Sequence, residues 1–125
     1  MNSTTLATKA YAGGTAAART PRAIEYEVFG RVTRRIKSAS EGTQSGLAPL
    51  AEALHENLKL WTVIAGDIAE PGNGLPDALK ARLFYLWEFT RTHTRKVLAG
   101  TADAAVLIDI NMSVMRGLRG EAQPA

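Results

Sequence analysis

The sequence predicts an all-α fold, a small antiparallel helical bundle of four to five helices, on three observations. Apolar residues recur at spacings of three and four along most of the chain, which gathers them on one face of a helix. No segment alternates polar and apolar residues for long enough to suggest a strand. Proline and glycine clusters separate the periodic stretches by short loops, and short loops place consecutive helices antiparallel. With 125 residues, 46% hydrophobic and 22% charged, the composition is that of one globular helical domain over 1–125. Its core spans about 20–118, with residues 1–19 and 119–125 expected to be partly flexible.

The elements follow in chain order. A short helix can run from Ser3, a plausible cap, to Tyr11, followed by a flexible connection over Gly13 to Arg19. Thr20-Pro21 is a start signal, since threonine caps well and proline at the first helical position loses no hydrogen bond. From there Ile24, Val28, Val32 and Ile36 recur every four residues, with Phe29 widening the stripe. This helix should fade near Ser40 into the polar linker 41–46. The next begins near Leu47 to Pro49 and carries Leu50, Leu54, Leu58, Trp61, Ile64 and Ile68 inward, until Pro71-Gly72-Asn73-Gly74 breaks it. Pro76 starts a further helix, with Asp77 complementing the positive end of its dipole. Leu79, Leu83, Leu86, Thr90 and Val97 mark its inner face, and Gly100 closes it. Thr101 or Asp103 can cap the last helix, which turns Leu107, Ile110, Val114 and Leu118 inward and should fade between Gly117 and Gly120. The tail from Glu121 to Ala125 should be mobile.

Composition excludes several kinds of chemistry. There are no cysteines, which removes disulfides, thiolate metal sites and thiol nucleophiles. His55-Glu56-Asn57-Leu58-Lys59 opens like the helical zinc motif but has lysine where the second imidazole must fall. His93 lies among Arg91, Arg95 and Lys96, which suits a solvated helix face. Neither Gly13-Gly14 nor Gly72-Asn73-Gly74 has the strand context or the lysine of a phosphate loop. Glu25 and Glu27 lie about 200° apart on a helix and do not converge. No catalytic, cofactor-binding or metal-binding constellation is found, so a binding protein is expected rather than an enzyme. No apolar run approaches the roughly 18 residues of a membrane span, and the N-terminus lacks the apolar core of an export signal. The cytoplasm is the expected compartment.

Two features remain. The net charge of +3 is unevenly placed: residues 1–40 hold seven basic side chains against two acidic ones. Arg31, Arg34, Arg35 and Lys37 form a basic surface, either a solvated helix face or a contact for an anionic partner such as RNA. The second feature is Leu83-Phe84-Tyr85-Leu86-Trp87-Glu88-Phe89, in which six of seven residues are apolar or aromatic. A helix apolar nearly all round is either the central element of the bundle or leaves surface for another helix. In the latter case Trp61, Phe84 and Trp87 are natural anchors of an apolar groove.

Particular strings carry a family resemblance. They are Thr20-Pro21-Arg22, Glu25-Tyr26, Phe29 and Arg31-Val32-Thr33-Arg34-Arg35; Leu50-Ala51-Glu52-Ala53-Leu54 with Asn57 and Leu60-Trp61; Asn73, Leu75-Pro76, Leu79, Ala81-Arg82-Leu83 and Phe89; and Ile108-Asp109-Ile110-Asn111 with Met115-Arg116-Gly117-Leu118. In this order they resemble the flagellar biosynthesis regulator FlaF of α-proteobacteria, over residues 20 to 118. The resemblance implies a small cytoplasmic helical protein without a cofactor, needed for flagellin production and export. It also implies flagellin as a partner, in the manner of a secretion chaperone or a helper of flagellin synthesis. Alternatively the protein acts on flagellin mRNA, directly or through the regulator FlbT. Flagellin termini are amphipathic helices that bury their apolar stripes only in the filament, so before export they need cover. The resemblance supplies no catalytic residues.

Overall fold

The structure, a computed structural model, describes residues 21–42 and 47–122, with side chains described from 26 to 117. The expected helix at 3–11, the connection at 13–19, the cap Thr20, residues 43–46 of the linker and the last three residues of the tail lie outside the described residues. So do the side chains of Ile24 and Leu118. Within the described residues there are four helices and no strand: α1 Pro21–Ser40, α2 Ala48–Ala69, α3 Asp77–Leu98 and α4 Ala105–Ala122.

The boundaries follow local chemistry. At the end of α1, Glu41 N–H bonds the Lys37 carbonyl at 3.0 Å, and Gly42 takes a positive φ of 75°. α2 ends at Ala69, where Glu70 turns extended. Asn73 ties the following turn together. Its side-chain amide donates to the Asp67 carbonyl at 3.2 Å while its side-chain oxygen accepts from the Leu75 N–H at 2.9 Å. At the end of α3 the Thr101 N–H reaches the Lys96 carbonyl and the Gly100 N–H the Val97 carbonyl, with Gly100 at φ 80°. These paired bonds satisfy carbonyls the helix would otherwise leave open, and their geometry needs the left-handed backbone that glycine adopts most readily. Of the two predicted caps for α4, Asp103 acts, its carboxylate accepting from the Ala105 N–H at 2.9 Å. α4 then continues past the expected fading point to Ala122. Single glycines weaken a helix by about 1 kcal/mol without breaking it, and Leu118, Arg119 and Ala122 are good helix formers.

Each helix packs on its chain neighbour, and α1 closes the bundle against α4; contact between α3 and α4 is the slightest of these. The core is built from Val28, Phe29, Val32 and Ile36 of α1, Ala53, Leu54, Leu60 and Trp61 of α2, Val97 of α3, Ala104 just before α4, and Leu107 of α4. Leu50, Leu58 and Ile64, expected inward, are half-buried, and Asn57 takes a fully enclosed place in the α2 stripe.

α3 differs most from the others. Its buried residues are Thr90, Thr94 and Val97, all in its second half. None of Leu83 to Phe89 is buried, and Tyr85 is 66% exposed. The apolar run is therefore not the central element of the bundle. Among the described residues, no helix is long and apolar enough to cross a membrane.

Candidate functional site

The three aromatic residues singled out as groove anchors do not share one surface. Trp61 is wholly enclosed at 0% exposure. Its ring meets Phe29 edge-on, with centroids 5.8 Å apart. Its indole N–H donates to the Asn111 side-chain oxygen at 3.0 Å. Asn111 in turn donates from Nδ2 to Thr33 Oγ1 at 3.1 Å and to Asn57 Oδ1 at 2.8 Å. α1, α2 and α4 are thereby tied by one buried polar cluster, and Trp61 offers nothing to a partner. Its assignment to a groove is corrected: a large side chain at the centre of the α2 stripe is covered by α1 and α4 together. Sequence reasoning did not identify Asn57 and Asn111 as core residues. Their signal was positional, since each stands at a spacing of three or four from apolar residues on its own inner face, Leu54 and Trp61 for one and Leu107 and Val114 for the other.

Phe84 and Trp87 do lie together. They are half-buried on α3, with ring centroids 6.4 Å apart in an edge-on arrangement. Trp87 is held at the α2 border by a long 3.5 Å contact from its indole N–H to Thr62 Oγ1. The Arg91 guanidinium lies 4.9 Å from the centre of its ring, an attractive placement of a cation over an aromatic face. Leu83, Leu86 and Trp87 touch the core along one edge of α3 and reach the surface along the other. At about 100° per residue, Phe84 and Trp87 fall on one flank of α3, and Leu86 and Phe89 on the other. Phe89 stacks on His93 at 5.3 Å, and His93 Nε2 lies 2.9 Å from the Asp103 carbonyl. His93 is thus half-buried and packed rather than simply solvated.

The basic surface divides as well. Arg31, Arg34, Arg35 and Lys37 are all exposed. Arg31, Arg34 and Arg35 share an open cleft of about 430 Å³ between α1 and α2, walled by Pro49, Glu52 and Ala53 of α2. Arg35 is engaged there by Glu56 at 2.6 Å. Lys37 faces another way and lines a separate cleft of about 340 Å³ with Glu41, Asp103 and Asp109. Among the described residues, no group of three His, Cys, Asp or Glu side chains is placed to hold a metal ion.

No curated protein and no solved structure matches the chain significantly. A family model described as flagellar protein FlaF matches residues 7–118, a stretch that contains α1, α2, α3, most of α4 and every residue of the two surfaces above. That match spans most of the sequence, so the chain belongs to the FlaF family of flagellar proteins.

Proposed function

We propose that the protein is a non-enzymatic, cytoplasmic regulator of flagellum biogenesis that binds flagellin, as a secretion chaperone or a helper of its synthesis. One observation carries this reading: the aromatic-rich apolar run Leu83 to Phe89 has no buried residue. Half-covered Phe84 and Trp87, meeting edge-on along one flank of α3, form an apolar patch of the kind that marks an interaction site. Aromatic anchors set into an apolar surface suit an amphipathic helix, whose stripe would pack against them. An unassembled flagellin terminus is a helix of that kind, and covering it before export is a task that calls for no catalytic group.

Purified protein and flagellin are expected to co-elute in size-exclusion chromatography, and to stay together when salt is raised, because apolar burial is little screened. Trp87→Ala should weaken the complex by about 2 kcal/mol, the usual cost of losing an aromatic anchor, while its circular dichroism stays that of a helical bundle. Unchanged affinity in a folded Trp87→Ala protein would remove this patch from the interface. A pull-down from cells that retains FlbT or flagellin mRNA and no flagellin would reassign the partner.

A further inference from the structure

We infer that the Arg31–Arg34–Arg35 cleft is a second, separate docking site, one that takes an acidic helical segment of a protein partner through two carboxylates a turn apart. It is independent of the flagellin reading, which concerns α3. Charge is the first support. Arg31 and Arg34 are exposed and make no ion pair among the described residues, whereas Arg35 beside them is occupied by Glu56. Two arginines three residues apart on one helix have Cα positions separated by about 4.5 Å along its axis. Carboxylates three or four residues apart on a partner helix present a matching pair, and the planar fork of arginine grips a carboxylate with two parallel hydrogen bonds.

Shape is the second support. The three arginines do not stand on a convex flank but line a concavity of about 430 Å³, together with apolar Ala39, Pro49 and Ala53. Charged groups in a concave site with low-dielectric walls focus the field more than the same groups on an open surface. The cleft lining also decides between an acidic protein segment and a nucleic acid. It contains no aromatic side chain on which a base would stack. It does contain the carboxylate of Glu52, which opposes a continuous row of phosphates along the cleft more than two carboxylates held at Arg31 and Arg34.

The test titrates the full-length protein with fluorescein-labelled poly-L-glutamate and, separately, with labelled poly(U) RNA, both at low salt, following anisotropy and the arginine side-chain NMR signals. Polyglutamate is expected to saturate and to shift the signals of Arg31 and Arg34, with poly(U) the weaker ligand. Arg31→Glu with Arg34→Glu should weaken polyglutamate binding about tenfold or more, the loss of a charge-assisted contact, with helicity unchanged because both side chains are exposed. Arg31→Lys with Arg34→Lys keeps the charge but loses the fork, and should bind polyglutamate more weakly than the unaltered protein and more tightly than the double glutamate variant. Three results would overturn the inference. One is tighter binding of poly(U), which would make the cleft a nucleic-acid surface. Another is polyglutamate binding that the double glutamate variant leaves unaltered. The third is a concentration-dependent dimer, seen by light scattering, that the same variant dissolves, since a second copy would then fill the cleft.

Discussion

The indole N–H of Trp61 donates a 3.0 Å hydrogen bond to the side-chain oxygen of Asn111, joining α2 to α4 at a point with no access to solvent. Asn111 uses its amide hydrogens equally fully, on Thr33 of α1 and Asn57 of α2. Asn111→Ala would therefore strand three buried partners at once: the indole N–H, the Thr33 hydroxyl and the Asn57 oxygen. Each unsatisfied group costs about 1–3 kcal/mol, and the relaxation of neighbours offsets part of the total. A loss of about 3 kcal/mol is expected in urea unfolding, a large share of the stability of a domain this size. Trp61→Phe, which removes the donor to Asn111 and leaves a small cavity where the second ring of the indole was, should lose about 2 kcal/mol. In the double variant the losses should fall short of additive by about 1 kcal/mol, as for any directly bonded pair. Additive losses would show that the two side chains are not coupled in solution.

The two tryptophans should behave as different environments. Trp61 is enclosed and Trp87 is half-exposed beside a cation. In Trp87→Phe, which leaves Trp61 as the sole indole, the emission should be blue-shifted and poorly quenched by acrylamide. In Trp61→Phe, which leaves Trp87, it should be red-shifted and quenched readily. Equal quenching of the two single-tryptophan proteins would contradict the burial of Trp61.

Much of this was legible in the sequence where the cause is local. Pro21, Pro76, Gly100 and Asp103 mark helix ends through their own backbone or side-chain chemistry, and the structure uses each of them there. What depends on three-dimensional neighbours was less legible. Trp61 and Trp87 look alike as aromatic residues at helical spacing, yet only Trp61 has helices on both sides of it. The run at 83–89 announces surplus apolar surface, but hydrophobicity does not say whether the chain itself covers it. The basic residues form one cluster along the sequence, although Lys37 lies about 120° around the helix from Arg31. That rotation alone turns Lys37 away from the cleft that Arg31 lines.

Gly100→Ala offers a direct check on the α3 terminus. At φ 80° an added Cβ meets no atom within 4 Å, so the cost is conformational rather than steric crowding from neighbours. A non-glycine residue in this region loses about 1–2 kcal/mol. The expected loss in urea unfolding is of that size, with the far-ultraviolet spectrum unchanged, since α3 can still end at the same place. Gly72→Ala makes the control, because Gly72 has a negative φ and equally open surroundings. Its effect should be close to zero or slightly stabilising, through a less flexible unfolded chain. A Gly72→Ala protein that loses as much as Gly100→Ala would point to the loss of flexibility itself, and not to the left-handed backbone.

The Arg35–Glu56 pair, short as it is at 2.6 Å, is expected to matter little for stability. Its side chains remain 49% and 37% exposed, so water screens the attraction and the two long chains give up rotamer freedom to hold it. Arg35→Ala should cost about 0.5 kcal/mol or less in unfolding at physiological salt, and part of even that is the packing of the arginine stem. Glu56→Gln should cost no more, and it has a second consequence. It releases the Arg35 guanidinium into the cleft beside Arg31 and Arg34, which raises the positive field there. Polyglutamate should then bind more tightly to Glu56→Gln than to the unaltered protein, and the gain should shrink as salt is added. A variant with unchanged stability and tighter binding would separate the pair's influence on the cleft from its influence on the fold; weaker binding would mean that Glu56 holds Arg35 in the orientation the ligand needs.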